Sequence, residues 1–263
     1  MKKKLTVKDI FTTKGQRKLT EVYVANEDQA AAAEKAGIDI LCNVNNVAAI
    51  RAAAPNTFLI GGMLSPEAAQ SESAAIRLGQ EILSQGADAV YTGISTDKVK
   101  AMTKEFIPVV GHVGMVPYRN TWYGGFKAVG KTATDAKKLY DLCLRYDDAG
   151  TVAVEMELVP EKVAEQITRN VKMLTMSMGS GQACDVQYLF SCDILGINTG
   201  HIPRHAKVYA NLQAEYERLR GLMADAYRQF QEDVENMSFP EERHSLSISD
   251  DAFTAFLESI KTT

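Results

Sequence analysis

No stretch of this sequence approaches the roughly twenty consecutive apolar residues that a membrane-spanning helix needs, and no apolar run follows the basic start MKKKLTVKDIFTTKG. A membrane partner and a secretory leader are therefore not expected, and a cytoplasmic location is. Cysteine is sparse: Cys42, Cys143, Cys184 and Cys192 form no CxxC pair and lie far apart. That suits reduced thiols packed as small hydrophobes better than a disulfide frame. Proline and tryptophan are scarce too, 7 and 1 in 263 residues, which excludes a proline-rich disordered or fibrous chain. Positive charge is not in surplus. Lys and Arg number 29 against 33 Asp and Glu, a formal net charge of −4, and that balance leaves no electrostatic footprint for nucleic acid. What is present is 46% hydrophobic residues, enough in a chain of this length to bury a sizeable core. The partner expected is a small-molecule substrate.

Short β-rich runs recur at Glu21–Ala25, Ile38–Val44, Thr57–Gly62, Ala87–Gly93, Ile107–His112, Val152–Leu158, Met173–Met178 and Cys192–Ile197. Between them Glu27–Ala36, Pro66–Gln85, Thr96–Lys104, Ala133–Asp148, Glu161–Asn170 and Asp185–Ser191 carry helix-forming residues with apolar positions near a period of 3.6. Several helices end on a glycine that leads into the next strand, as in Ala36-Gly37-Ile38 and Gln85-Gly86-Ala87. Such α/β alternation predicts a parallel (β/α)8 barrel, because parallel strands need crossover helices. A doubly wound open sheet would carry GxGxxG in its first βα turn, and Ala25-Asn26-Glu27-Asp28 has none. Extra C-terminal helices follow at Leu212–Glu235 and Asp250–Ile260, suited to packing on a neighbouring subunit of a homo-oligomer. No linker interrupts the chain, so one domain is expected over 1–263. Barrel chemistry sits at the C-terminal strand ends, here Asn45, Gly62, Gly93, His112, Glu157 and Met178.

The stretch Gly111–Thr132, GHVGMVPYRNTWYGGFKAVGKT, runs from a strand end at His112 into a glycine-rich segment without periodicity that holds the only Trp. Long loops of that kind are usually functional, and His112 becomes a candidate site residue with a lid behind it. In Val154-Glu155-Met156-Glu157 the strand period of two turns both glutamates the same way. If that way is the barrel interior, each raises the other's pKa, giving an acid and a base in one place. Met178-Gly179-Ser180-Gly181 is either an anion-binding turn before a helix or simply a tight turn. Gly200-His201-Ile202-Pro203-Arg204-His205-Ala206-Lys207 is open to reading as an anion or subunit contact, or as a solvated turn.

The motifs GHVGMVP, GGFKAVGKT, DAGTVAVEMELVP, MGSGQACD, GINTGHIPRHAK and FPEERHS occur in this order. Together they resemble ketopantoate hydroxymethyltransferase, from about Ala25 to Ser245 and most densely beyond Ile107. The resemblance implies a barrel of the phosphoenolpyruvate/pyruvate superfamily type, usually a homo-oligomer. It also implies a pantothenate-pathway transferase that adds a one-carbon unit from methylenetetrahydrofolate to 3-methyl-2-oxobutanoate. In such an enzyme Mg²⁺ holds the 2-oxo acid and stabilises the enolate charge on its keto oxygen. The resemblance places the catalytic Glu on Glu157 and the site His on His112.

The same comparison puts Asn45 and Asn46 where the family has an Asp and a Ser, Gly62 in place of a second Asp, Gly93 in place of a Glu, and Tyr91 in place of a Lys. A protein Mg²⁺ site rests on at least one or two carboxylates. Mg²⁺ bound in the family's manner is therefore not expected, and no metal ligand is assigned. Asn45, Asn46, Tyr91 and Met178 stand as substrate-binding candidates, with Tyr188 as a further apolar contact. Glu155, an acid gained, joins Glu157 and His112 as a catalytic group. With Asn43 or Asn45 the three would rebuild the site for a relocated divalent ion or for metal-free acid/base work. The function expected is enolate, aldol-type C–C chemistry on a small 2-oxo acid or related carbonyl compound. The alternative is a non-catalytic homologue that binds a metabolite or a partner enzyme.

Overall fold

Eight parallel strands pair in chain order and close into a barrel: β1 (Leu19–Tyr23), β2 (Ile40–Asn43), β3 (Phe58–Gly62), β4 (Ala89–Tyr91), β5 (Val109–Gly114), β6 (Ala153–Glu157), β7 (Leu174–Met178) and β8 (Val186–Phe190). The ring closes where Leu19 of β1 pairs with Val186 of β8 and Tyr23 with Phe190. The computed structural model describes residues 3–63 and 66–261. The helices are α1 (Val7–Thr13), α2 (Glu27–Ala36), α3 (Val47–Ala53), α4 (Glu72–Ser84), α5 (Thr96–Lys104), α6 (Asn120–Tyr123), α7 (Ala133–Asp148), α8 (Glu161–Asn170), α9 (Ser191–Ile194), α10 (Leu212–Glu235) and α11 (Asp250–Ile260).

The period of two along each strand sorts side chains into two cores. Leu19, Ile40, Phe58, Ala89, Val110, Ala153, Leu174 and Val186 point inward and fill the N-terminal end of the barrel, which Ile10 of α1 closes. Outward-facing residues such as Val90, Val109 and Val154 pack against Val99 of α5, Leu139 and Tyr146 of α7, and Ile167 of α8. Helix ends follow their signals. Asn26 caps α2 by accepting from Gln29 N at 3.0 Å, and Gly37 ends it in the left-handed region, φ 82°. Lower down, Arg51 of α3 donates to the carbonyls of Gly86, Ala54 and Thr57 and pairs with Asp88, tying α3 to the starts of β3 and β4.

The eighth strand is not where the alternation puts it. Asp185–Ser191, expected as a helix, contains β8, and the expected strand Cys192–Ile197 contains most of α9. The physical reason is a missing crossover helix. β7 passes to β8 through seven residues, Gly179–Asp185, so a strict strand-then-helix count runs one element late. Two smaller differences appear. Pro66–Gln85 divides into a 3₁₀ turn, Pro66–Ala69, and α4, which Ser71 caps. The segment after Asn46 forms α3, burying Val47 and Ile50.

The chain divides into two compact units, Met1–Ala210 and Asn211–Thr263. The first is the barrel. The second holds α10 and α11, so the helices expected as an extension of one domain separate as a unit of their own. Their apolar side chains, including Leu222, Met223, Tyr227, Phe230 and Phe256, are exposed. Among the described residues no helix is long and apolar enough to cross a membrane.

Without a helix to cover it, the β7–β8 seam is held by Asp185. Its Oδ2 accepts from Thr175 N at 2.9 Å and from Lys14 Nζ at 2.7 Å, and the residue is 6% exposed. Asp185→Ala leaves a buried amide and an ammonium without their acceptor. It is expected to cost about 3 kcal/mol of folding stability, read as a lowered urea midpoint at unchanged slope.

Candidate active site

At the open end of the barrel the inward positions change from hydrocarbon to chemistry. His112 of β5 lies opposite Glu155 of β6 in register, and Gly114 opposite Glu157. Nε2 of His112 is 3.2 Å from Glu157 Oε2 and 3.9 Å from Glu155 Oε1, and Nδ1 is 2.5 Å from the Tyr91 hydroxyl on β4. The backbone just beyond is bent to hold this arrangement. Gly114 has φ 85°, and a Cβ there would lie 2.1 Å from Glu157 O. Only glycine lets β5 turn against β6 so closely that Met115 N donates to Glu157 O at 2.9 Å. Leu158, directly after Glu157, takes φ 51°, a rare conformation for a branched residue and typical of a functional turn.

Burial sets the electrostatics. Desolvation raises the Glu155 carboxyl first; His112 opposes this and Glu157 adds to it, with a net upward shift. Burial would lower His112, but the charges of Glu155 and Glu157 outweigh it and hold the imidazole above its ordinary 6.5. Tyr91 is pushed well up by burial and by Glu155, so it stays a phenol. The network is satisfied in both states of the imidazole. Protonated, it donates to Tyr91 and Glu157; neutral, it accepts the Tyr91 O–H at Nδ1 and keeps its other proton on Glu157. Beside it lies a residue the motifs did not reveal, Glu21 of β1, 4% exposed, with Oε2 lacking a partner among the described residues. Burial first, and Glu155 second, push it well above the usual carboxylate range.

Tyr91, His112, Glu155 and Glu157, though not Glu21, line a cavity of about 1080 Å³. Its walls include Tyr23, Met63, Ile94, Met115, Met178 and Tyr188, and the rim carries Pro117, Tyr118, Arg119 and Phe126 from the loop expected as a lid. Of the other candidates, Tyr91 and Met178 line the cavity, and Asn45 and Asn46 do not. Both asparagines are exposed at the start of α3, where Asn43 Oδ1 accepts from their amides at 3.0 and 2.7 Å. Continuing the inward alternation of Ile40 and Cys42 leads to Val44, which does line the cavity. In the Gly179–Gly181 turn Ser180 is engaged within the fold: its N donates to Ser177 Oγ at 3.0 Å, and its Oγ donates to Met156 O. In the segment after α9, Pro203 and His205 reach the cavity while His201, Arg204 and Lys207 are exposed.

The ligand atoms of His112, Glu155 and Glu157 all lie within 4.8 Å of one another, a set that could hold a metal ion.

Solved structures place the fold among the phosphoenolpyruvate-type barrels. This chain is similar to 2,3-dimethylmalate lyase, titled a PEP mutase/isocitrate lyase superfamily member, with a TM-score of 0.55, 12% identity, and coverage of 85% of this chain and 88% of that one. It is also similar to a phosphonopyruvate hydrolase solved with oxalate and Mg²⁺, with a TM-score of 0.51, 11% identity, and 98% of both chains covered. The family model described as ketopantoate hydroxymethyltransferase matches residues 43–242, and the chain belongs to that family. The relatives it matches are named 3-methyl-2-oxobutanoate hydroxymethyltransferase. That of Kosmotoga olearia is 33% identical over 90% of this chain and 95% of its own length. That of Staphylothermus marinus is 31% identical over 92% and 96%, and that of Clostridium botulinum 38% identical over 68% and 64%.

A carboxyl whose pKa is raised on folding binds its proton more tightly in the native state, so its contribution to stability is lost as pH rises through the raised value. For Glu21 that window opens at its ordinary 4.5 and extends upward. Glu21→Gln removes the titration. The variant is expected to gain stability on the wild type between pH 5 and pH 8, with the two converging at pH 4, as read from urea midpoints along the pH series.

Proposed function

We propose that this chain performs enolate chemistry on a small 2-oxo acid, the class of substrate its relatives are named for, with Glu157, Glu155 and His112 as the acid/base groups. The observation that carries this is the His112–Glu157 contact at 3.2 Å, at the floor of a mostly apolar cavity in a chain of this family. Glu157, the least buried of the three, takes the proton from C3. The electron pair of the broken C–H bond enters the enolate, and negative charge grows on the keto oxygen. Burial raises the Glu155 pKa, and in its protonated form this carboxyl joins the Tyr91 hydroxyl and His112 as donors for that oxygen. The pair then forms the new C–C bond to the one-carbon unit; the C–N bond to its carrier breaks with the electrons and a proton going to nitrogen, and water supplies the hydroxyl oxygen. A cavity of about 1080 Å³ leaves room beside a small acid for a carrier as large as methylenetetrahydrofolate.

The strand tips do not fit a Mg²⁺ held as the family resemblance implies, and no step is routed through one. A Cβ on Gly62 would lie 2.1 Å from Cγ1 of Val44, and one on Gly93 would lie 2.7 Å from the Tyr118 hydroxyl. The space two acids would take is filled by a hydrocarbon and by a phenol from the lid. A second reading keeps a metal elsewhere, on His112, Glu155 and Glu157, with the Tyr91 hydroxyl as acceptor for Nδ1–H of a ligating imidazole. The exposed apolar side chains of α10 and α11 support the expected homo-oligomer.

Hydrogen–deuterium exchange at C3 of 3-methyl-2-oxobutanoate, followed by NMR, isolates the first half-reaction. With chelator present the wild type is expected to catalyse exchange and Glu157→Gln to lose roughly 100-fold or more. Exchange that disappears with chelator and returns with added metal would favour the second reading. Exchange in neither condition would leave a binding protein.

A further inference from the structure

The charges at the barrel mouth are ordered along three neighbouring strands. β6 carries the carboxylates of Glu155 and Glu157, and β5 the imidazole of His112, while at the tip of β4 the guanidinium of Arg119 hydrogen bonds to Gly93 O. Tyr118 donates to the same carbonyl at 2.5 Å, and its ring lies 5.3 Å under the Arg119 guanidinium carbon. Arg119 lines the cavity, and so does Lys98 of α5. Among the described residues neither cation forms an ion pair. Arg119 meets a carbonyl and Lys98 meets Ser95 Oγ at 3.4 Å. The guanidinium is also close enough to His112 to oppose its protonation. A guanidinium with one N–H engaged, stacked on a ring and half withdrawn from water, keeps paired donors for a planar anion.

That order of groups matches the order of atoms in a 2-oxo acid: carboxylate, keto carbon, then the C3 that loses a proton. Two strand spacings cover roughly 10 Å, which such a three-carbon stretch spans with a hydrogen bond at each end. We propose that Arg119, with Lys98 beside it, is the carboxylate anchor of the substrate, holding the acid so that its keto oxygen meets His112 and its C3 meets Glu157. This rests on the 2-oxo acid reading and adds to it the residue that supplies positive charge at the strand tip where Gly93 leaves no acid for a metal.

Isothermal titration calorimetry reads binding in the cavity directly. Titrations of the full chain in the presence of EDTA would use 3-methyl-2-oxobutanoate, 3-methylbutanoate, which lacks the keto group, and 3-methyl-2-butanone, which lacks the carboxylate. The wild type is expected to bind the oxo acid, and Arg119→Ala to weaken that binding roughly 10- to 100-fold. Arg119→Lys should retain part of the affinity, while the weaker binding of the ketone stays unchanged in all three proteins. Urea midpoints of the two variants confirm that the fold is intact. If both carboxylates bind the wild type equally and both depend on Arg119, the anchor stands and the 2-oxo acid reading falls. If Arg119→Ala binds the oxo acid as the wild type does, if the wild type needs added Mg²⁺ to bind it, or if no carboxylate binds, the anchor is overturned.

Discussion

One imidazole held between two carboxylates, with little water to screen them, is the constraint to which the rest of this barrel answers. His112 is 4% exposed and Glu155 equally so, and charges at that depth are costly unless each is paired and hydrogen bonded. Tyr91 completes the imidazole, and the bend at Gly114 and Leu158 sets Glu157 at hydrogen-bond distance. Glu21, with no ion pair among the described residues, answers the same constraint by a carboxyl pKa that burial pushes well up. The pH dependence of the fold and the acid/base capacity of the site thus have one origin. Burial raises the carboxyls of Glu21 and Glu155, and the same carboxylates raise the imidazole they surround.

The strand tips at Gly62 and Gly93 are packed rather than open. A lost acid would leave a hole, and holes in a packed interior cost stability. Here Val44 occupies the side-chain space of Gly62, and the Tyr118 hydroxyl that of Gly93. Restoring an acid at either position would force overpacking, which typically costs about 1–3 kcal/mol unless the filler is shortened in the same protein. Each glycine and its filler therefore form one unit, and single substitutions toward an acidic tip would measure steric strain before they measured metal affinity.

How much of this the sequence carries depends on whether the signal is local. Helix bounds at Glu27–Ala36, Thr96–Lys104, Ala133–Asp148 and Glu161–Asn170 are legible because caps and a 3.6 period lie within the segment itself. The shared face of Glu155 and Glu157 is legible for the same reason, since strand alternation needs no partner. β8 was hidden because the clue used for it was the rhythm of the whole chain, and that rhythm breaks at the helix-free Gly179–Asp185 connection. Asn45 stood in for Val44 through a one-residue slip, and a slip of one turns every side chain of a strand to its other face. The alternation from Ile40 through Cys42 could have prevented it. Glu21 was legible in principle, as an acid at an inward position of a strand-like run. Arg119 was not, because its value comes from the Gly93 carbonyl it meets across the fold, and nothing in PYRN announces that contact.

A dication beside a 2-oxo acid performs two tasks at once, holding the carboxylate and taking up charge on the keto oxygen. On the reading developed for this site the tasks are separated. A guanidinium from the lid serves the carboxylate, and the imidazole beside Glu157 serves the oxygen, helped by the Tyr91 phenol and the buried Glu155 carboxyl. Two single charges several ångströms apart give a weaker field at the reacting oxygen than one double charge in contact with it. The difference must come from preorganisation, with donors already fixed by burial so that little rearrangement accompanies the growth of charge. That requirement accounts for the second hydrogen bond on His112, for the strained Leu158 that sets Glu157, and for the dry, apolar walls around them. Each holds a donor or a base still in a place where water would otherwise compete for it.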